Sequence, residues 1–300
     1  MAGDTLIALH ALGAAAGIKP AAVVEGPGTG YRYRARLAVR GRVRAPKIGI
    51  FEAGSHRIVD IPRCLVHHPL INDLAGALKG VIRKAAVAPY VDATHQGRVR
   101  YVQAVVERGS GRVQVVVVSN DTSPDPITPL VDALTTALGP RLHSLWWNGQ
   151  PERSNTILGP HWHHLHGPDA VQETIGGASV FFPPGAFGQS HLDLADRIVA
   201  QVHAWVPDGA RVVELYAGCG PIGLGLAARA ASVQFNESAA GGLAGLQLGV
   251  DALPEPVRAR TSIHPGPAPL HANLLHDADV VIADPPRRGV DATILETLRQ

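Results

Sequence analysis

The second half of the chain alternates helical patterns with short apolar runs. An amphipathic segment, HLDLADRIVAQVHAWV, precedes three such runs, which are RVVELYAG, ASVQFNE and DVVIADPP. Short apolar runs between helical patterns are typical of buried parallel strands that have helices on their faces. The pattern therefore predicts an α/β domain over residues 176–300, with about four strands.

The first half has the shorter period that is typical of β-strands. Residues 31–61 alternate polar and apolar positions, and residues 98–120 predict a hairpin that turns at Gly109–Gly111. Helical patterns lie near residues 70–86 and 128–138. We therefore predict a β-rich α+β domain over residues 31–175. We expect residues 1–30 to form a helical segment that packs on a domain and is not a signal peptide, because its start carries an acid in place of basic residues.

Composition adds a few limits to this picture. The chain has 300 residues, 46% of them hydrophobic, a net charge of +2 and two cysteines, Cys64 and Cys219. The cysteines lie far apart, which argues against a disulfide framework and against a cysteine-rich zinc site. This cysteine usage makes the cytoplasm the expected compartment. No apolar stretch is long enough to span a bilayer, so we predict no membrane partner.

Basic residues are concentrated in one segment, YRYRARLAVRGRVRAPK at residues 31–47, which contains no acid. Its six arginines all have even numbers, so a continuous strand would place them on one face. A solvated charged face is the alternative, but arginines without acids repel one another, which favours contact with a phosphate backbone. The predicted RNA-binding residues are Arg32, Arg34, Arg36, Arg40, Arg42 and Arg44.

A glycine-rich turn in ELYAGCGPIGLGLA follows the first apolar run of the second half. Gly218 and Gly220 lie in the turn, and Glu237 ends the next run. Such a turn lets a ligand approach the carboxyl edge of a sheet, and an acid on the next strand can hold ribose hydroxyls. Since Gly223 completes a G-x-G-x-x-G spacing, this pattern alone leaves a nicotinamide dinucleotide and S-adenosylmethionine both possible.

The last apolar run ends in DPPRRG, which favours one of these two cofactors. Asp284 is followed by two prolines, which stiffen a loop at the same edge of the sheet. A methyltransferase needs a stiff, acid-bearing loop between the methyl donor and a planar base, whereas hydride transfer has no use for one. The alternative is an ordinary turn at the end of a strand.

Together these motifs resemble the RNA uracil-C5 methyltransferase family, class I enzymes that methylate ribosomal and transfer RNA. FPPGAFGQSHLDLADRIV resembles the F-x-Q-x-N motif with His191 at the asparagine position, ELYAGCG resembles D-L-Y-C-G-x-G, and DPPRRG resembles D-P-P-R-x-G. The resemblance covers most of the chain. It implies a Rossmann-like class I methyltransferase domain, here incomplete, after an RNA-binding domain.

The resemblance also implies S-adenosylmethionine as the cofactor and rRNA or tRNA as the partner. It places cofactor-binding residues at Gln189, Tyr216, Gly218, Gly220, Glu237 and Asp284. The family's nucleophilic cysteine and glutamate base follow D-P-P-R-x-G and are absent here, so we assign no catalytic residue. Cys219 is displaced by two positions from the family's turn cysteine, where this chain has Ala217.

We therefore expect a monomeric fragment, or an early-terminated form, of a longer enzyme. Two alternatives stay open: a non-catalytic RNA-binding protein of the same fold, and a class I methyltransferase that acts on another target. For HWHHLH at residues 161–166 we predict a polar loop with some RNA contact in preference to a metal site. Cys64 matches one cluster cysteine of some family members, but without the other three we predict no iron–sulfur cluster.

Overall fold

The first part of the protein is built on one mixed seven-stranded sheet. The computed structural model describes residues 2–17, 23–55 and 57–299. The strands are β1 (Arg34–Arg42), β2 (Ala45–Phe51), β3 (Ile58–Asp60), β4 (Val99–Glu107), β5 (Arg112–Ser119), β6 (Leu142–Gly149) and β7 (His161–His166). Their order is β3-β2-β1-β4-β5-β6-β7, and β5 pairs parallel with β6 while the other neighbours are antiparallel.

One face of this sheet is covered by two helices, α2 (Pro69–Ala85) and α3 (Thr128–Leu138). Helix α2 begins at a proline in its first turn, where no N–H is needed, and the ring of His68 accepts a hydrogen bond from the Leu70 N–H at 3.2 Å. Its buried stripe is that of an amphipathic helix. Both helices and the hairpin β4–β5 confirm the predictions from the periodicity.

Helix α1 (Ala2–Ala16) forms within the predicted helical segment. Its Ile7 and Leu9 side chains are 72% and 41% exposed. These two apolar side chains therefore do not pack on a domain, contrary to the expectation from the sequence.

The second part contains a parallel sheet, as predicted. Within the described residues it has four strands, β10 (Arg211–Leu215), β11 (Ser232–Glu237), β12 (Thr261–Pro265) and β13 (Val280–Ala283), in the order β12-β11-β10-β13. A two-stranded hairpin of β8 (Val171–Ile175) and β9 (Ala178–Phe182) precedes this sheet. The α-helices of this part are α4 (Leu192–Trp205), α5 (Gly223–Leu226), α6 (Ala240–Asp251), α7 (Glu255–Arg258) and α8 (Ala292–Thr297).

Packing divides the chain slightly earlier than residue 175. Hairpin β8–β9 contains that residue, and its Val171, Ile175 and Val180 side chains are buried in the core of the second part. The turn at residues 176–177 is a local hairpin turn with two glycines at positive φ. The change between the two cores therefore lies before Val171. Among the described helices, none combines the length and the apolar character needed to cross a membrane.

Candidate functional site

A cavity of about 660 Å³ opens at the carboxyl edge of the parallel sheet. The carboxyl ends of β10, β11 and β13 meet at this edge, as expected for the ligand site of an open α/β sheet. Five of the six predicted cofactor residues line the cavity: Gln189, Tyr216, Gly218, Glu237 and Asp284.

The glycine turn after β10 shapes one wall of this cavity. Gly218 has φ 58°, and a Cβ built on it would meet nothing within 4 Å, so this glycine is required by its backbone conformation and leaves open space beside it. Gly220 has φ 75°, and a Cβ there would lie 2.6 Å from Cδ1 of Leu246. Gly220, the sixth predicted residue, therefore packs against α6 and does not line the cavity.

Tyr216 is held in an unusual conformation between β10 and the glycine turn. Its φ of 58° lies in the left-handed region, which is uncommon for a residue with a side chain and costs on the order of 1 kcal/mol. The Tyr216 hydroxyl donates to Oδ2 of Asp291 at 2.9 Å, and burial raises the pKa of this hydroxyl. The ring is thus fixed against the loop that follows β13. Such strained residues cluster at functional sites.

Glu237 ends β11 and is oriented by backbone groups. Its Oε2 accepts the Gly218 N–H at 2.6 Å, and its Oε1 accepts the N–H groups of Ser238 and Ala239 at 2.7 and 2.6 Å. A carboxylate accepts about four hydrogen bonds. One acceptor position on Oε2 therefore remains for a hydroxyl group of a ligand.

Several residues around the cavity are not among those predicted. Asn236 is 1% exposed, and its Nδ2 donates to the carbonyls of His264 and Gly266 at 2.9 Å each, which ties the end of β11 to the end of β12. In the sequence, the position of Asn236 directly before Glu237 could have identified it. The other missed residues with charged side chains are Arg287, Arg288 and Asp291. The two arginines lie in the DPPRRG motif, whereas nothing in the sequence marks Asp291.

Glu214 is the next-to-last residue of the strand β10 and is 2% exposed. Its Oε2 accepts the Gly223 N–H at 2.8 Å. Burial raises the pKa of Glu214 to about 8, and the charges of Asp284 and Glu237 act in the same direction. The side chain is therefore mostly a neutral acid at neutral pH.

Neither cysteine of the chain lines the 660 Å³ cavity. Cys219 is 1% exposed, and burial raises the pKa of its thiol to about 12, so the thiol stays protonated. Cys64 lines a separate cavity of about 550 Å³, and its backbone N–H donates to Oδ1 of Asn72 at 2.9 Å. Among the described residues, no group of three or more His, Cys, Asp or Glu side chains is placed to hold a metal ion.

The predicted arginine face is wrong for Arg40, whereas Arg34 is half-buried and lines a groove together with Arg32 and Arg36. Arg40 is 7% exposed, and its guanidinium pairs with both carboxylate oxygens of Asp92 at 2.6 and 2.9 Å. Arg34 stacks over the Phe182 ring at 4.2 Å, donates to the Ala186 carbonyl at 3.1 Å and has its pKa lowered to about 10 by burial. Both side chains share a sheet face, as alternation predicts, but other segments cover that face. Phosphate cannot reach Arg40, and Arg34 joins the two parts.

The other four of the six predicted RNA-binding arginines are exposed. Arg42 and Arg44 lie at the turn between β1 and β2, whereas Arg32 and Arg36 line a groove of about 500 Å³ between the two parts. Phe187, which is 73% exposed, lines both this groove and the 660 Å³ cavity. The groove and the cavity therefore meet at an exposed aromatic ring.

The HWHHLH segment is a strand and not the loop that we predicted. It forms β7 at the edge of the seven-stranded sheet, paired antiparallel with β6. The cross-strand pairing of His164 with Trp146 includes stacked rings 4.3 Å apart. Ring stacking on a neighbouring strand stabilises a strand that lacks the usual apolar alternation.

Comparisons with known proteins identify relatives over most of the chain. An RNA methyltransferase of Protochlamydia amoebophila, named as uncharacterized, is 36% identical over 285 residues, which cover 92% of this chain and 74% of that protein. A similarly named protein of Geobacter sulfurreducens is 31% identical over 275 residues, or 88% of this chain and 54% of that protein. The chain thus spans between about half and three-quarters of the length of these relatives. No protein-family model matches the chain.

One solved structure has a similar fold. The tRNA (uracil-54, C5)-methyltransferase of Pyrococcus abyssi, solved in complex with S-adenosyl-L-homocysteine, superposes with a TM-score of 0.80 at 21% identity. The superposition covers 97% of this chain and 67% of that structure. This likeness confirms the predicted class I methyltransferase fold with its preceding α+β part.

Proposed function

The chain belongs to the family of RNA methyltransferases that includes its P. amoebophila relative, and from this premise we propose that it binds S-adenosylmethionine and positions RNA for methylation at uracil C5. The main support for binding of the methyl donor is the cavity at the carboxyl edge of the parallel sheet. It brings five of the six predicted cofactor residues together around an open glycine turn.

The residues of the cavity fit this cofactor. A volume of about 660 Å³ is in the usual range for small-molecule sites. The free acceptor position on Glu237 suits a ribose hydroxyl, and Gly218 leaves room for a ligand to approach the backbone. The lining holds three carboxylates, including Asp284 and Asp291, against two arginines, so acids outnumber bases by one, which suits a positively charged ligand.

S-adenosylmethionine supplies a methyl group on a positively charged sulfur. In this site Glu237 would hold the ribose, and Tyr216 would fix the wall of the cavity through its hydrogen bond to Asp291. The loop with Pro285 and Pro286 would keep Asp284 in the lining, where its negative charge would favour a sulfonium ligand. The chain thus supplies binding, orientation and a fixed electrostatic environment.

Uracil C5 as the acceptor rests on the resemblance of the motifs and on the substrate named for the P. abyssi structure. Methylation at this carbon needs a thiolate that adds to C6 and so makes C5 nucleophilic. Cys219 is buried and protonated, and Cys64 lines another cavity. The proposal therefore assigns donor binding and RNA positioning to this chain and assigns the nucleophile to neither cysteine.

The groove beside the donor cavity supports RNA as the substrate. Exposed Arg32 and Arg36 line it and are free of carboxylate partners among the described contacts, so they can meet phosphate groups. Phe187 stands where the groove meets the cavity, and its exposed ring suits contact with a base. A nucleotide in the groove would thus point towards the methyl donor.

Isothermal titration calorimetry of the 300-residue chain with S-adenosylmethionine tests the donor site. We expect saturable binding by the wild type and at least about tenfold weaker binding by Glu237→Gln, because a hydrogen bond to a charged acceptor is lost. Glu255→Gln is the matched control, since it makes the same charge change at an exposed position of α7 and should bind normally.

The unfolding temperature of each variant without ligand shows whether the fold is retained. If the folded wild type binds no S-adenosylmethionine, the donor assignment is wrong. Binding of RNA without any binding of the donor would instead favour a non-catalytic RNA-binding protein.

A further inference from the structure

The edge strand β7 carries an aromatic surface that the proposed methyl transfer does not explain. Trp162 is 39% exposed, whereas Trp147 on the neighbouring strand is 2% exposed. Beside it, the rings of His164 and Trp146 stack at 4.3 Å with an interplanar angle of 21°. Trp162 therefore presents part of its indole ring to solvent beside this stacked pair.

This aromatic surface shares a sheet face with the groove arginine Arg36. The cross-strand partners run in one row from Arg36 to Gln103, Val116, Trp146 and His164. Directly paired residues of neighbouring strands point to the same side of a sheet. The basic groove and the aromatic surface are therefore two ends of one sheet face.

The loop that separates these two ends leads directly to the donor cavity. The Arg36 guanidinium donates to the Gly185 carbonyl at 3.4 Å. On the other side, a Cβ built on Gly185 would lie 3.1 Å from Cζ2 of Trp162, so the indole ring lies against this glycine. Phe187, two residues further on, lines the donor cavity. A chain of nucleotides that passes Phe187 can therefore reach either Arg36 or Trp162.

We propose that Trp162 and the His164–Trp146 pair form a stacking platform for unpaired RNA bases next to the nucleotide that enters the donor cavity. The inference rests on the proposed function, since it names a binding site for the same RNA. Stacking on aromatic rings recognises single-stranded nucleic acid with little sequence preference. In duplex RNA the bases are stacked on one another, so the platform selects unpaired segments.

Polar groups flank the platform. Three further histidines, at positions 161, 163 and 166, are exposed on the same strand and can donate hydrogen bonds to phosphate or sugar. His161 and His163 pair with Gly149 and Trp147, so these two project from the face opposite to Trp162. On the platform itself, Oδ1 of Asp169 lies 3.3 Å from Nδ1 of His164. A second protein chain that pairs with the open edge of β7 is the rival occupant.

Fluorescence anisotropy with a labelled single-stranded oligouridylate and with a blunt RNA duplex tests the platform on the full chain. We expect Trp162→Ala to weaken binding of the single strand about tenfold and to leave duplex binding unchanged, because one base loses its stacking partner. Trp162→Phe should retain most of the affinity. Trp205→Ala is the matched control, because Trp205 is 71% exposed on α4 outside the groove and the cavity.

The outcomes separate this inference from the proposed function. Wild-type affinity for the single strand in Trp162→Ala, or an equal loss in Trp205→Ala, would overturn the platform while S-adenosylmethionine binding still supports the donor site. Self-association of the wild type that Trp162→Ala abolishes, with RNA binding unaffected, would show that a second copy covers β7. No RNA binding by the wild type would overturn both the platform and the RNA part of the proposed function.

Discussion

Replacement of Glu214 by glutamine should flatten the dependence of stability on pH. Glu214 is 2% exposed within β10, and burial raises the pKa of its carboxyl from an ordinary 4.5 to about 8. Glutamine keeps an oxygen that can accept the Gly223 N–H and does not titrate. The variant thus removes the titration and preserves the shape of the side chain.

The sign of the effect follows from proton binding. Between about pH 4.5 and about pH 8 the folded protein keeps the Glu214 proton while the unfolded chain has lost it. The contribution of Glu214 to the free energy of unfolding is therefore fully present below about pH 4.5 and is lost as the pH rises through about 8. The shift corresponds to a loss of up to about 5 kcal/mol across this range.

Urea unfolding of the wild type and of Glu214→Gln at about pH 5 and about pH 8 measures this loss. Burial lowers the pKa of His67 and His143. Protonation of these histidines at acidic pH favours the unfolded chain, so they change stability with pH in the direction opposite to Glu214. They are unchanged in the variant, so the difference between the two proteins isolates Glu214. We expect the wild type to lose several kcal/mol more than the variant over this range.

Glu296→Gln is the control, because Glu296 is exposed on α8 and its replacement makes the same charge change. Its pH dependence should follow that of the wild type. If Glu214→Gln also follows the wild type, then Glu214 titrates near its ordinary value and the burial argument is refuted. The absolute stability of the variant does not enter the comparison, which uses only its change with pH.

Two further predictions separate the arginines by their surroundings. Arg40→Ala should lower the free energy of unfolding by about 2 kcal/mol, because it removes a buried partner of the half-exposed Asp92, whereas Arg42→Ala at the exposed turn should change it by less than about 0.5 kcal/mol. Equal urea midpoints for the two variants would contradict the buried ion pair. The double variant Arg32→Ala/Arg36→Ala should weaken binding of single-stranded RNA and reduce the slope of log affinity against log salt by about 1.4, or about 0.7 for each phosphate contact, measured by anisotropy. An unchanged slope would exclude these two side chains from phosphate contact.

The sequence predicted which residues meet at the carboxyl edge of the parallel sheet, because local signals mark the ends of the strands. Gly218, Glu237 and Asp284 each follow or end an apolar run. A parallel sheet brings such ends to one edge whatever the detailed packing. The residues that complete the site lack this link, and Asp291 reaches Tyr216 from 75 residues away through the loop after β13.

The arginine face was predicted less well because alternation identifies a face and not what covers it. Arg40 lies on the predicted side of β1, but Asp92 reaches it from a segment 52 residues away and pairs with it. The prediction of a loop at HWHHLH was wrong for a related reason. Its pairing partner β6 and the stacked Trp146 stabilise it, and neither is visible in the local pattern of polar residues.

The junction between the two parts sets the geometry on which both proposals depend. Val105 of β4 is buried in the core of the second part, and Arg108 donates to Oδ2 of Asp196 on α4 at 2.6 Å. The Arg108 backbone N–H also donates to the buried Glu173 on β8 at 2.7 Å. Such directional contacts fix orientation more than they add stability, because desolvation offsets much of their attraction. Since the groove lined by Arg32 and Arg36 lies between the two parts and the proposed donor cavity lies in the second, a fixed junction would keep a nucleotide in the groove at a constant distance from the methyl donor.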